Sequence, residues 1–248
     1  MIRKTRSPAS GAHYIGGRDG LAEALRPFGS APVQIIDLVG SSAPTLRQLT
    51  TTVDVSRESV IISTRRVHLH DALGDVESTL LGLVPKSIIL RCAPLDLSLP
   101  LLWAWAQATG ILMSAFHQDG VAWIRTSDLA EAVTRISPTQ IRERTGQVYD
   151  VTGPERVSMT QLRDAMTEQL NESIELACLP PEEFTEKLLA NGMPEVVARW
   201  VADYQRTSSD PLLPSTTQVL PMLLDRSPAS PQLVPHDYQD INYESTHR

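Results

Sequence analysis

The sequence has few cysteines, few aromatic residues and no long apolar run. Only Cys92 and Cys178 occur in 248 residues, so neither a disulfide framework nor a cysteine-based zinc site is expected, and a reducing compartment fits. No stretch approaches about 18 uninterrupted apolar residues, which argues against a membrane-spanning helix. The charged residues 1–6 have no apolar segment behind them, so they do not form a signal peptide.

A surplus of positive charge is also missing. The chain has 22 Lys+Arg against 29 Asp+Glu, a net charge of −7, whereas a general nucleic-acid binder needs excess cations to displace counterions. Hydrophobic residues make up 42% of the chain, enough for one domain with a small annex. The composition therefore predicts a globular, cytoplasmic protein without a nucleic-acid or membrane partner.

Strand-like apolar runs alternate with helical periodicity through the first half. The strongest strand candidates are Val33–Val39, Val60–Ser63 and Lys86–Arg91. Between the last two, residues 71–83 carry apolar side chains at helical spacing. This alternation predicts βαβ units and a parallel sheet, and the nearly continuous apolar strands favour a sheet covered on both faces.

The second half contains more helical segments and ends in a proline-rich tail. Its predicted helices are Ser127–Ile136, Ser158–Leu170, Pro180–Ala190 and Pro194–Tyr204. We therefore expect a sheet core over residues 1–98, to which 121–152 return. Residues 99–120 and 153–207 form a substrate-binding subdomain in this interpretation, and 208–248 a tail.

Several segments resemble, in collinear order, the NmrA-like branch of the atypical short-chain dehydrogenases/reductases. The matching segments are 77–80, 88–91, 121–133, 146–155, 181–184 and 189–194. The resemblance implies an α/β fold with a Rossmann-like parallel sheet, helices on both faces and a small C-terminal substrate domain. It also implies either an NAD(P)H-dependent reductase or a regulator that binds a partner protein.

The N-terminal part departs from that family pattern. The family opens with a strand, a Gly-x-x-Gly-x-x-Gly loop and a helix, whereas residues 2–8 resemble its second strand and the Arg-x-Pro that follows. Gly16, Gly17 and Gly20 follow a strand, and Asp37 lies 17 residues after Gly20, near ribose-acid spacing. The strand count instead places these glycines in an ordinary loop. We therefore expect a shortened sheet and no cofactor, with NADP held by these glycines as the alternative.

Five candidate catalytic residues lie at or after the carboxyl ends of predicted strands, where open parallel sheets bind ligands. They are Asp37, Thr64, Arg65, His70 and Arg91. Asp37 stands inside an apolar strand, so it is expected to be a neutral general acid, to pair with Arg91 or to lie at an exposed edge. The family often has Lys or His one turn before the glutamate that Glu77 resembles, but Leu73 occupies that position.

His70 is a weak substitute for the missing proton donor at that position. His68 and His70 are two residues apart and have no third ligand at metal spacing, so no metal site is expected. Arg65 and Arg91 are the candidates to stabilise developing negative charge.

Aromatic side chains concentrate in the segment that walls the substrate pocket in the family. The candidate substrate-binding residues are Trp103, Trp105, Met113, Phe116, His117 and Trp123. Such walls suit a flat, apolar ligand, although ordinary core packing explains any one of them equally well.

The sequence thus leads to the hypothesis of a cofactor-independent acid–base enzyme, such as an isomerase, cyclase or lyase. Its substrate would be a small apolar molecule of specialised metabolism, and a homodimer stays open. The alternatives are an NAD(P)H-dependent reductase and a non-enzymatic regulator bound to a partner protein.

Overall fold

The structure is a computed structural model. It describes residues 14–15, 19–28, 32–38, 53–64, 72–213 and 215–234. Residues 39–52 and the tail residues from 235 onward lie outside these ranges.

The described residues form seven strands and nine α-helices. The strands are β1 Tyr14–Ile15, β2 Gln34–Asp37, β3 Ser59–Thr64, β4 Ser87–Cys92, β5 Ile111–Ser114, β6 Val148–Val151 and β7 Glu175–Cys178. The helices are α1 Asp19–Leu25, α2 Ala72–Leu83, α3 Leu99–Thr109, α4 Thr126–Arg135, α5 Pro138–Glu143, α6 Met159–Leu170, α7 Pro181–Ala190, α8 Glu195–Ser208 and α9 Val219–Leu224. Short 3-10 turns at Arg26–Phe28 and Asp96–Ser98 follow α1 and precede α3.

Five strands form one parallel sheet in the order β1-β2-β3-β4-β6. Asp37 is in register with Ile62, and Thr64 is in register with Cys92. Because all pairs are parallel, the carboxyl ends of the strands meet at one edge. The expected α/β fold, a parallel Rossmann-like sheet flanked by helices, is confirmed.

The strands are buried on both faces, as their continuous apolar runs predict. One face, with Ile35, Ile62 and Leu90, packs in a cluster with α1, α4 and α9. The opposite face, with Ile36, Ile61 and Ile89, packs against Leu80 and Val84 at the end of α2. Alternate residues along each strand therefore belong to different sides of the sheet.

A second layer follows β4 in the chain. Strands β5 and β7 pair in parallel, with Leu112 opposite Leu176. One apolar cluster here contains Trp103 and Trp123 and joins α3 to α6. A separate cluster contains Trp105 and Phe184 and joins β5 to α7 and α8.

The proline-rich tail lies along the body as far as the structure describes it. It contains the short helix α9, and residues 225–234 follow without regular structure. The Trp103 indole N–H donates to the carbonyl of Leu233 at 2.7 Å. The Arg226 guanidinium donates to Asp128 on α4 at 2.7 Å. We call residues 225–234 the C-terminal strap.

Helix caps show where sequence patterns succeed and fail. Ser158 and Gln161 form a capping box at the start of α6, as their Ser-x-x-Gln spacing indicates. Ser127 and Asp128 have cap-forming side chains at the start of α4, but the cap residue there is Arg125, which makes no side-chain cap bond. Instead Asp96 accepts from the Thr126 backbone N–H at 2.9 Å, so the cap comes from a residue 30 positions away.

Candidate functional site

The carboxyl edge of the five-stranded sheet brings some of the candidate residues together. Asp37 ends β2 and Thr64 ends β3, and both are buried. By strand alternation they share the sheet face of Ile35 and Ile62, one diagonal step apart. A carboxylate and a hydroxyl therefore lie side by side where a ligand of a parallel sheet binds.

Arg91 lies on the other face of the sheet and is already engaged. Its Nη2 donates to Glu77 Oε2 at 2.8 Å, and its Nε donates to the same oxygen at 3.2 Å. Glu77 belongs to α2, and its side chain is only 3% exposed. The proposed Asp37–Arg91 pair is therefore replaced by a Glu77–Arg91 pair that fixes α2 to β4.

Four of the glycine and side-chain candidates cannot be placed. Gly16, Gly17, Arg65 and His70 lie outside the described residues. Gly20 is described and lies in α1, a helix of only seven residues. Leu73 lies in the first turn of α2.

Five of the six predicted substrate-binding residues divide between two cores, and His117 belongs to neither. Trp103 and Trp123 are 1% and 0% exposed within the cluster of α3 and α6, where the Trp123 ring meets Phe116 edge-on at 5.6 Å. Trp105 and Met113 pack in the other cluster, against α7 and α8. These positions do not form one continuous wall.

His117 is the accessible member of the aromatic set. Its imidazole is 39% exposed, and Nδ1 lies 3.2 Å from Asp119 Oδ2 and accepts from the Asp119 backbone N–H at 3.3 Å. The Gly120 carbonyl, just beyond, accepts from the Arg156 guanidinium at 2.9 Å. His117 thus stands on a turn held by several hydrogen bonds.

Sequence reasoning missed the polar cluster that fixes this turn. Gln205 Oε1 on α8 accepts from the Ala115 backbone N–H at 2.8 Å and from Ser114 Oγ at 3.2 Å. Ser209 Oγ accepts from the His117 backbone N–H at 2.8 Å. The available signal was polar residues on the face of α8 that also carries the buried Ala198 and Ala202.

Neither the family models nor the curated proteins contain a match to this sequence. Solved structures do match it. The NADPH-dependent quinone oxidoreductase of Escherichia coli, in complex with NADPH, is 19% identical with a TM-score of 0.64, over 86% of this chain and 79% of that one. Triphenylmethane reductase of Citrobacter sp., complexed with NADP(H), is 15% identical with a TM-score of 0.57, over 86% and 79%.

A third similar structure is NmrA, a negative transcriptional regulator, in complex with NADP. It is 16% identical with a TM-score of 0.53, over 93% of this chain and 81% of that one. At these identities the likeness concerns the fold. The chain has the Rossmann-like α/β fold that the sequence predicted, and it shares this fold with the three structures.

These structures correct two expectations drawn from the sequence. The hypothesis of an enzyme that works without a nicotinamide cofactor is wrong on this comparison, because the similar proteins are described as NADPH-dependent or were solved with NADP(H). The isomerase, cyclase or lyase chemistry built on that hypothesis loses its support. The apparent lack of a phosphate loop in the sequence is therefore not sufficient evidence against an NADP(H) cofactor.

The described residues fit one part of a dinucleotide site. Doubly wound sheets bind the pyrophosphate where the strand order reverses, next to a glycine-rich turn. Among the described strands the order follows the chain without a reversal, and no glycine-rich phosphate turn is included. The carboxyl edge, with Asp37 and Thr64, supplies an acceptor and a hydroxyl suited to the ribose and carboxamide of a nicotinamide nucleoside.

Among the described residues, no helix is long and apolar enough to cross a membrane.

Proposed function

We propose that the protein is an NADP(H)-dependent reductase of a small, flat, apolar acceptor such as a quinone. The main support is the agreement in fold, across both the five-stranded sheet and the second layer, with a quinone oxidoreductase solved with NADPH. The buried carboxylate and hydroxyl at the carboxyl edge support the same proposal, because they lie where this fold binds ligands.

In this proposal each residue of the edge has a defined task. Bound NADPH supplies a hydride. The Asp37 carboxylate would accept hydrogen bonds from ribose hydroxyls, and the Thr64 hydroxyl would donate to the carboxamide.

The acceptor class follows from the residue at the position of the family's proton donor. Leu73 stands where the family often carries Lys or His, so a ketone would find no acid at that position to protonate its alkoxide. A quinone does not need that acid. Hydride addition gives a hydroquinone anion, a phenolate that is a much weaker base than an alkoxide because a phenol has a pKa of about 10, and water protonates it near neutral pH without an acid from the protein.

The test combines binding and turnover on the full chain. Calorimetry with NADPH, NADP and NADH measures binding, and loss of NADPH absorbance with benzoquinone measures reduction. We expect NADPH to bind at micromolar concentrations and to be oxidised when benzoquinone is added. Absence of nucleotide binding at millimolar concentration would overturn the proposal.

Two variants test the edge residues. Thr64→Val and Asp37→Asn each remove one hydrogen-bonding function, and a net contribution of about 0.5–1.5 kcal/mol corresponds to about threefold to tenfold weaker NADPH binding. Thr134→Val and Asp164→Asn are the controls. Thr134 bonds only within α4, to the Glu131 carbonyl, and Asp164 is exposed. Equal affinity in all four variants would place the cofactor elsewhere.

A second candidate function is a regulator that binds NADP without turning it over. The specific observation in its favour is Leu73, because a binding protein needs no proton donor at that position. NmrA, solved with NADP, is described as a transcriptional regulator. Nucleotide binding without oxidation of NADPH by any quinone or triphenylmethane dye would favour this candidate.

A further inference from the structure

Helix α8 has two apolar faces, and only one of them is covered. Its inner face carries Ala198, Ala202 and Gln205, which are buried against β5 and α7. Its outer face carries Val196, Val197 and Trp200, which are 77%, 44% and 43% exposed. Exposed apolar groups of this size on one helix mark an interaction surface more often than scattered single residues do.

These residues form a continuous stripe. Val196, Trp200 and Tyr204 follow one another at intervals of four, and Val197 lies beside Trp200. The rings of Trp200 and Tyr204 are stacked, with centroids 5.3 Å apart and planes 12° apart. The stacking holds the Trp200 ring in one orientation without covering it.

A row of charges of alternating sign flanks the stripe. Glu195, Arg199, Asp203 and Arg206 lie along one side of α8 in the order minus, plus, minus, plus. Within the chain they pair locally, Arg199 with Glu195 at 2.9 Å and Arg206 with Asp203 at 3.2 Å. The Glu195, Arg199 and Asp203 side chains are largely exposed and Arg206 is 42% exposed, so these local pairs contribute little to stability.

The charge row is complementary to the same row on a second α8 helix that runs in the opposite direction. When two α8 helices pack antiparallel, the same flank of each helix faces the other, and the row plus-minus-plus-minus meets minus-plus-minus-plus. Glu195 then lies opposite Arg206 of the second copy, and Arg199 opposite Asp203 of the second copy. Both pairs are centred on Trp200–Val201, which is also the centre of the apolar stripe.

We infer that α8 is the contact surface of a homodimer, in which two copies pack antiparallel about a two-fold axis at Trp200. A two-fold interface needs one self-complementary patch, and here the apolar and the charged components share one centre. With α7, which packs beside α8, the dimer forms a four-helix layer. This inference is independent of the reaction that the protein catalyses.

The experiment measures the mass of the full chain by light scattering after gel filtration, over a range of concentrations. We expect twice the 27.3 kDa of one chain for the wild type at micromolar concentration. Trp200→Glu places a charge at the centre of the stripe and Val196→Glu places one at its N-terminal end, and each should weaken dimerisation at least about tenfold. Leu212→Glu, at a residue 80% exposed outside the stripe, is the matched control and should leave the dimer intact.

A charge exchange then tests the antiparallel register. Glu195→Arg alone places two arginines opposite each other across the interface and should weaken the dimer. Adding Arg206→Glu restores opposite charges between the copies while disturbing the pairs within each helix, so the double variant should recover dimerisation. A monomeric wild type, a dimer unaffected by Trp200→Glu and Val196→Glu, or a double variant no better than the single one would each overturn the inference.

Discussion

Two carboxylate–guanidinium pairs each join separate elements of the fold. They differ in how easily the segment that carries the arginine can move away from the carboxylate. Glu77–Arg91 joins α2 to β4, both regular elements of the sheet domain, and both side chains are mostly buried. Asp128–Arg226 joins α4 to the C-terminal strap, with the carboxylate 4% exposed and the arginine 41% exposed. When its partner is lost, the first carboxylate stays trapped in the interior, whereas the strap over the second can lift and admit water.

Removing Arg91 should therefore give the largest effect. Arg91→Met leaves Glu77 charged in the core and should lower the free energy of unfolding by about 3–5 kcal/mol. Urea denaturation followed by circular dichroism measures this. The double variant with Glu77→Leu removes both charges and should recover most of the loss. An equally unstable double variant would show that packing, not the isolated charge, causes the effect.

Removing Arg226 should cost less and act locally. Arg226→Met breaks bonds to Asp128 at 2.7 Å and to Glu131 at 2.6 Å, and hydrogen bonds to charged groups contribute about 1.5–3 kcal/mol each at most. Because the strap can detach, we expect the free energy of unfolding to fall by an amount toward the lower end of that range. Hydrogen exchange should rise at Ala229, whose backbone N–H donates to Asp128. Unchanged exchange there would contradict the detachment.

Acidification should remove part of the stability that Arg226 contributes, and this effect should be smaller than that of either substitution. The hydrogen bond from Arg226 holds the pKa of Glu131 below its usual range, with Arg135 adding to the effect. A lowered folded-state pKa stabilises the protein above the unfolded pKa, and this contribution disappears as the pH falls through the folded pKa. The stability difference between the wild type and Arg226→Met should therefore shrink below about pH 4. A constant difference down to pH 3 would argue against the pairing.

The smallest effect should come from an exposed pair. Arg26 lies 3.5 Å from Glu23, and both side chains are about two-thirds exposed. Arg26→Met should change the free energy of unfolding by less than about 1 kcal/mol. A loss as large as that of Arg226→Met would mean that exposure is not what distinguishes these pairs.

The difference between local and long-range contacts explains how far the sequence could predict the structure. Strands β2, β3 and β4 were predictable because each contains adjacent apolar residues without polar alternation, a pattern typical of a strand covered on both faces. The capping box of α6 was predictable because its two partners are three residues apart. Local periodicity and local hydrogen bonds depend on residues that are close in the sequence, so they can be predicted without knowledge of the fold.

Long-range partners left no such signal. Nothing near Asp128 in the sequence indicates that Arg226 and Ala229 reach it across about one hundred positions. Strand β7, Glu175–Cys178, is half exposed and carries no alternation that distinguishes it from a loop. A pair of Asp37 with Arg91 was one expectation because a buried carboxylate needs a partner, but β3 separates their strands and strand alternation puts them on opposite faces. The candidate site was thus predictable in its position at the sheet edge and not in its pairings.

The order of the described strands in the sheet has a consequence for how the chain folds during synthesis. Each of β2, β3 and β4 pairs with the strand made just before it, so the sheet can grow in the direction in which the ribosome releases the chain. Among the described strands of this sheet, β4 alone keeps an open edge for a distant partner, β6. Strand β6 and the C-terminal strap are made late, and the strap covers α4 and Trp103.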